Sequence, residues 1–129
     1  DFSGKRVLLV EDNDLNQEIA QEILKMAGLT VEIAENGKEA VRLFSGMPEN
    51  YYDMILMDIQ MPLMNGYEAA EALRSMERED AQNVPIIAMT ANAFADDVLA
   101  AKNAGMNEHI AKPLDMLRLQ ELLGDYLNR

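Results

Sequence analysis

The sequence predicts an α/β domain built on a parallel sheet with helices on both faces. Two observations predict it. Short apolar runs recur along the chain, each ending at polar or charged residues, and several are apolar at successive positions, as strands buried on both faces require. Between them lie segments whose apolar residues recur every three or four positions, the helical period. Strand and helix alternate through five βα steps, which argues for crossover units rather than hairpins.

Residues 5–10 form the first run, which stops at Glu11-Asp12-Asn13 and reads as a buried strand with acids at its carboxyl end. Asp14 and Gln17 stand at capping-box spacing, so Asp14 is expected to cap a helix. Leu15, Ile19, Ile23 and Met26 form its apolar stripe, and Gly28 closes it just past the C-cap. Residues 30–34 make a second strand and Asn36-Gly37 a turn; Ala40, Val41 and Phe44 mark the inner face of a second helix. The third strand is the apolar stretch that ends in Asp58. A loop through Pro62 and Asn65-Gly66 then leads to a helix with Ala69, Ala70 and Leu73 inward. Residues 78–83 read as a polar loop. Residues 84–89 are a fourth strand ending in Thr90-Ala91, followed by an alanine-rich helix that stops near Gly105. A brief strand at 108–111 halts at Lys112-Pro113, and the last helix carries Leu117, Leu119, Leu122, Leu123 and Leu127.

At 129 residues, with 49% hydrophobic and 26% charged residues, the chain suits a single domain over residues 1–129. No apolar run reaches the ~18 residues of a membrane span, and the N-terminus lacks a signal peptide's apolar core. Cysteine is absent. A cytoplasmic location is the expectation. With 23 acidic and 11 basic residues the formal charge is −12, which works against nucleic acid and favours metal cations or a basic partner.

In open parallel sheets, ligands sit outside the carboxyl ends of the strands. Glu11, Asp12, Asp58, Thr90 and Lys112 all fall there. Converging carboxylates repel: two unit charges ~4 Å apart interact by roughly 4 kcal/mol at an effective dielectric of 20. Oxygen ligands without histidine or cysteine favour Mg²⁺, and Lys112 adds a second positive charge. A carboxylate nucleophile, a divalent ion, an ammonium and a hydroxyl are the parts needed to accept and hold a phosphoryl group.

The chain resembles the response-regulator receiver domains of two-component signalling over essentially its whole length. The resemblance is carried by VLLVEDN at 7–13, MDIQMPLMNG at 57–66, AMTA at 88–91 and the pair Lys112-Pro113, in that order. It implies a flavodoxin-like, doubly wound five-stranded parallel sheet of order 2-1-3-4-5. It implies that Asp58 accepts a phosphoryl group from a phosphohistidine, and that Mg²⁺ is held by Asp12, Asp58 and the backbone carbonyl of Gln60, with Glu11 acting through a water. Lys112 would pair with Asp58 and then with the phosphoryl oxygens, and Thr90 would hydrogen-bond them. Such a domain catalyses its own phosphorylation and slow dephosphorylation. The partner would be a histidine kinase or a histidine phosphotransfer protein. Gln60 and Asn92 fall where receivers tune the lifetime of the phosphoryl group, and the Lys112-Pro113 bond is a candidate for the cis form. His109 occupies the switch position, three residues before the lysine, where receivers usually place tyrosine or phenylalanine. The wording LVEDNDLNQEIA, MTANAF and AGMNEHIAKPL is most similar to receivers of hybrid sensor histidine kinases, so a piece of a longer chain is expected rather than a stand-alone receiver.

Other readings compete with these. A flavin binder of flavodoxin type would need a neutral, glycine- or hydroxyl-rich loop after the first strand, and Glu11-Asp12 is the opposite. A phosphohydrolase with an aspartate nucleophile would place that nucleophile after the first strand with a second aspartate two residues on, a pattern that Glu11-Asp12-Asn13-Asp14 fits only by accident. A degenerate receiver serving as a scaffold would lack part of the site. His109, the sole histidine, makes a poor transition-metal site alone, and packing accounts for Met54, Met57, Met61 and Met64 better than copper does.

Overall fold

The computed structural model describes residues 2–91, 95–112 and 114–127. Asn92 and Pro113, named above as a tuning residue and as one side of a candidate cis bond, lie outside the described residues. The elements in order are β1 (Arg6–Val10), α1 (Asp14–Met26), β2 (Thr30–Ala34), α2 (Gly37–Gly46), β3 (Met54–Asp58) and α3 (Gly66–Arg74). After them come α4 (Glu79–Asn83), β4 (Ile86–Thr90), α5 (Ala95–Asn103), β5 (Glu108–Ala111) and α6 (Met116–Leu127).

The sheet has the order β2-β1-β3-β4-β5, and every neighbouring pair is parallel. The parallel pairing is what the alternation predicts, and the doubly wound order is the one that the resemblance implies. Period-two alternation along each strand sorts the core into two layers. Leu8, Val10, Ile55, Met57, Ile86 and Ala88 face α2, α3, α4 and α5, where they meet Phe44, Leu73, Ala81 and Ala101. Val7, Leu9, Met54, Leu56, Ile87 and Met89 face α1 and α6, where Leu24, Leu119 and Leu123 close the other layer.

Four local expectations need correction. The cap of α1 is Asn13, whose backbone is extended and whose side-chain oxygen accepts from the N–H of Asn16, and Asp14 is already inside the helix. The stripe of α1 is displaced: Ala20 and Leu24 are buried and Ile23 is half-buried, while Leu15, Ile19 and Met26 are 64%, 44% and 74% exposed. Asn36-Gly37 is a helix start rather than a turn, because Asn36 caps α2 by accepting from the N–H of Glu39. Residues 78–83 are not a polar loop but carry α4. Arg78 forks onto the carboxylate of Asp80 and donates to the carbonyls of Phe44 and Met47 at the end of α2; Asp80 also accepts from the N–H of Asn50. That network satisfies a buried carboxylate and pins α4 against α2. In α6, Leu117 is exposed and the other four leucines are buried.

Candidate functional site

The site grows from the ends of four strands. Asp58 is the last residue of β3, Thr90 the last of β4, Glu11 and Asp12 follow β1, and Lys112 follows β5. Parallel pairing brings these ends to one edge, with Asp58 opposite Met89 and Thr90 opposite Ala111. The main chain fastens them further: Lys112 N–H donates to the carbonyl of Thr90 at 2.8 Å and Ile59 N–H to that of Met89 at 3.1 Å. Gly66 lets α3 begin directly beneath Asp58, since a Cβ there would stand 2.5 Å from the Asp58 carbonyl oxygen. Asn65 and Glu68 close a full capping box around that helix start.

Glu11, Asp58 and Thr90 are buried, and Asp12 is exposed. The ammonium of Lys112 lies 2.9 Å from Oδ2 of Asp58 and 2.9 Å from Oε1 of Glu11. It therefore supplies the cation that two buried carboxylates require. Burial alone would push the Lys112 ammonium down, but its hydrogen bonds and charge attraction to Asp58 and Glu11 outweigh it and hold the group above the ordinary lysine value. The Asp12 carboxyl is raised, first by partial burial and then by the Glu11 carboxylate beside it. Oδ1 of Asp58 accepts from the backbone N–H of Gln60 at 3.2 Å. A cleft opens over the group, lined by Asp58, Gln60, Thr90, Ala91, Asp97 and Lys112.

Oxygens of Glu11, Asp12 and Asp58 come within 4.8 Å of one another. An octahedral ion with ligands at about 2.1 Å needs oxygens roughly 3–4 Å apart, so a small contraction of this set would hold Mg²⁺. An all-oxygen, carboxylate-rich donor set fits that ion in chemistry as well.

His109 sits half-buried in β5, paired with Ala88, and lines a groove between α5 and β5 together with Val98, Lys102 and Met106. Two site residues escaped sequence reasoning. Asp97, in the first turn of α5, lines the cleft, and only the tertiary fold brings it there. Gln17, read above as half of a capping box, donates instead to the Glu11 carbonyl.

Residues 7–124 match the family described as the response regulator receiver domain. The chain is a receiver domain of two-component signalling. Among curated proteins, the receiver is 37% identical over 127 residues to the peroxide stress-activated histidine kinase mak1 of Schizosaccharomyces pombe, covering 98% of this chain and 8% of that protein. It is 36% identical over 121 residues to hybrid signal transduction histidine kinase I of Dictyostelium discoideum, covering 92% of this chain and 7% of the kinase. The receiver thus spans under a tenth of the length of these two relatives. Among solved structures it superposes with a TM-score of 0.87 and 38% identity on the receiver domain of sensor histidine kinase PA1611 from Pseudomonas aeruginosa, covering 98% of this chain and all of that one; that structure has a magnesium ion coordinated in its active-site cleft. The receiver domain of Ssk1 from Saccharomyces cerevisiae, solved with the histidine phosphotransfer protein Ypd1, matches with a TM-score of 0.88 and 30% identity over 99% of this chain and 92% of that one.

Proposed function

We propose that Asp58 of this receiver accepts a phosphoryl group from a phosphohistidine and that Mg²⁺ occupies the neighbouring acidic cluster. The observation that carries the reading is the placement of Lys112, whose ammonium bridges Asp58 and Glu11 at the floor of an open cleft. A carboxylate oxygen of Asp58 forms the new P–O bond as the donor's P–N bond breaks, and the electron pair leaves on the imidazole nitrogen. Lys112 then transfers its attraction to the phosphoryl oxygens, and the Thr90 hydroxyl donates to another. Asp12, Asp58 and the carbonyl of Gln60 are the proposed metal ligands, with Glu11 reaching the ion through a water. Bound there, Mg²⁺ supplies positive charge against the carboxylates and the transferring oxygens.

The proposed donor is a histidine phosphotransfer protein or a kinase domain presenting its histidine. Leu15 and Ile19 stand exposed on α1, and Ile19 lines a small, mostly apolar pocket with Ala20, Met89 and Leu114 that Glu11 and Lys112 also line. A solvent-facing apolar surface next to the reacting group suits a docking protein, and the Ssk1 receiver was solved with such a protein. The output proposed is a change across α5, β5 and α6, with His109 at its centre. The same reading places the module in the cytoplasm, within a hybrid histidine kinase.

Incubation with Mg²⁺ and a small phosphodonor should add one phosphoryl group to the intact mass. Asp58→Asn should gain none. Equal gain by that variant, or gain by the parent in excess chelator, refutes the assignment.

A further inference from the structure

One side chain outside the acidic loop is hydrogen-bonded to its main chain. Gln17, half-buried in the first turns of α1, donates its side-chain N–H to the carbonyl oxygen of Glu11 at 2.6 Å. That carbonyl belongs to the peptide unit joining Glu11 to Asp12. A peptide unit is planar and includes the α-carbon of the residue that follows, so fixing the carbonyl's direction fixes where the Asp12 side chain sets out. Glu11 has several other anchors: its N–H donates to the Ala34 carbonyl at 3.0 Å, while its carboxylate meets Lys112 and the N–H of Asn13. Asp12 is exposed, and its reach toward Glu11 and Asp58 depends on the peptide from which it projects.

We infer that Gln17 is a positioning residue for the metal site: it holds the Glu11–Asp12 peptide so that Asp12 faces the ion shared with Asp58. Gln17 touches neither the ion nor the phosphoryl group. Its backbone is built into α1, where Gln17 N–H donates to the carbonyl of the cap residue Asn13 at 2.9 Å, so the helix that carries the exposed apolar face also sets the geometry of the acidic loop. The inference rests on the metal reading given under the proposed function.

The test compares the parent receiver, Gln17→Met, Gln17→Glu and Asp12→Asn. Gln17→Met keeps length and helix propensity and removes the donor. Gln17→Glu keeps the shape and turns an acceptor toward the carbonyl. Mg²⁺ affinity is measured by calorimetry without phosphodonor, thermal melting is measured in chelator, and the Mg²⁺ dependence of self-phosphorylation is followed by mass. Both Gln17 variants should bind Mg²⁺ about five- to ten-fold more weakly, within or just below the loss typical of an outer-shell partner. Their half-saturating Mg²⁺ concentration should rise by the same factor, and their ion-free melting temperature should match the parent's. Parent-like affinity in both, or a loss of affinity accompanied by an equal loss of ion-free stability, overturns the positioning role. A parent that takes up no Mg²⁺, or an Asp12→Asn variant that binds as tightly as the parent, instead overturns the metal reading beneath it.

Discussion

Replacing Lys112 with methionine keeps the side chain's stem and removes its charge from between two buried carboxylates. Glu11 and Asp58 would then face each other with oxygens no more than 4.8 Å apart, a repulsion of about 3.5 kcal/mol at an effective dielectric of 20. The Lys112 side chain is 22% exposed, so solvent admitted at its place screens part of this, leaving a cost of about 2–3 kcal/mol near pH 7. The cost has a definite pH signature. In the variant, the repulsion exists only while both carboxylates are charged. The deficit must therefore be present at neutral pH and fade as the pH falls toward the unfolded carboxylate value of about 4. Urea denaturation in chelator at about pH 7 and about pH 4, parent beside variant, measures it. Adding millimolar Mg²⁺ at neutral pH should return part of the loss, because an ion bound only to the folded form stabilises it. A variant as stable as the parent at neutral pH without divalent ions would refute the view that Lys112 neutralises the pair.

Two further outcomes follow from other parts of the molecule. The Asp80 carboxyl lies below its ordinary value: burial raises it, but the Arg78 fork and the Asn50 N–H more than compensate. Its stabilising contribution is thus present above about pH 4 and lost as pH falls through the lowered folded-state value, so Asp80→Asn should cost about 3 kcal/mol in urea at neutral pH and progressively less as the pH falls below about 4. Leu15→Ser combined with Ile19→Ser should leave urea stability and small-donor phosphorylation unchanged while slowing transfer from a histidine phosphotransfer protein about ten-fold in a stopped-flow or gel assay; unchanged protein-to-protein transfer would remove α1 from the docking surface.

Much of the site was legible in the chain because of where its parts fall. Asp58, Thr90 and Lys112 each end an apolar run, and a parallel sheet must bring such ends to one edge, so adjacency followed from order alone. What could not be read depended on contacts distant in sequence or on which side of a helix faces outward. Leu15, Ile19 and Met26 have the periodicity of a core stripe, yet the sheet receives Ala20 and Leu24 instead. Periodicity reports that a face is apolar, not what covers it. The helix α4 was hidden for a different reason. Its residues Glu79, Asp80, Gln82 and Asn83 are polar, and what orders them is the reach of Arg78 to carbonyls more than thirty positions earlier. Asp97 enters the cleft only because the tertiary fold sets the first turn of α5 beside the strand ends.

The position of β5 at the rim of the sheet has a mechanical consequence. A central strand can shift only by disturbing ladders on both flanks, whereas β5 is paired on one side only, to β4. Displacing it puts one row of hydrogen bonds at stake, and it carries Lys112 at its end and His109 along its length. The lysine that bridges Asp58 and Glu11 is thus mounted at the end of an edge strand rather than of a central one. A pull on Lys112 acts on a strand with one hydrogen-bonded flank, while β3, which ends in Asp58, is held on two.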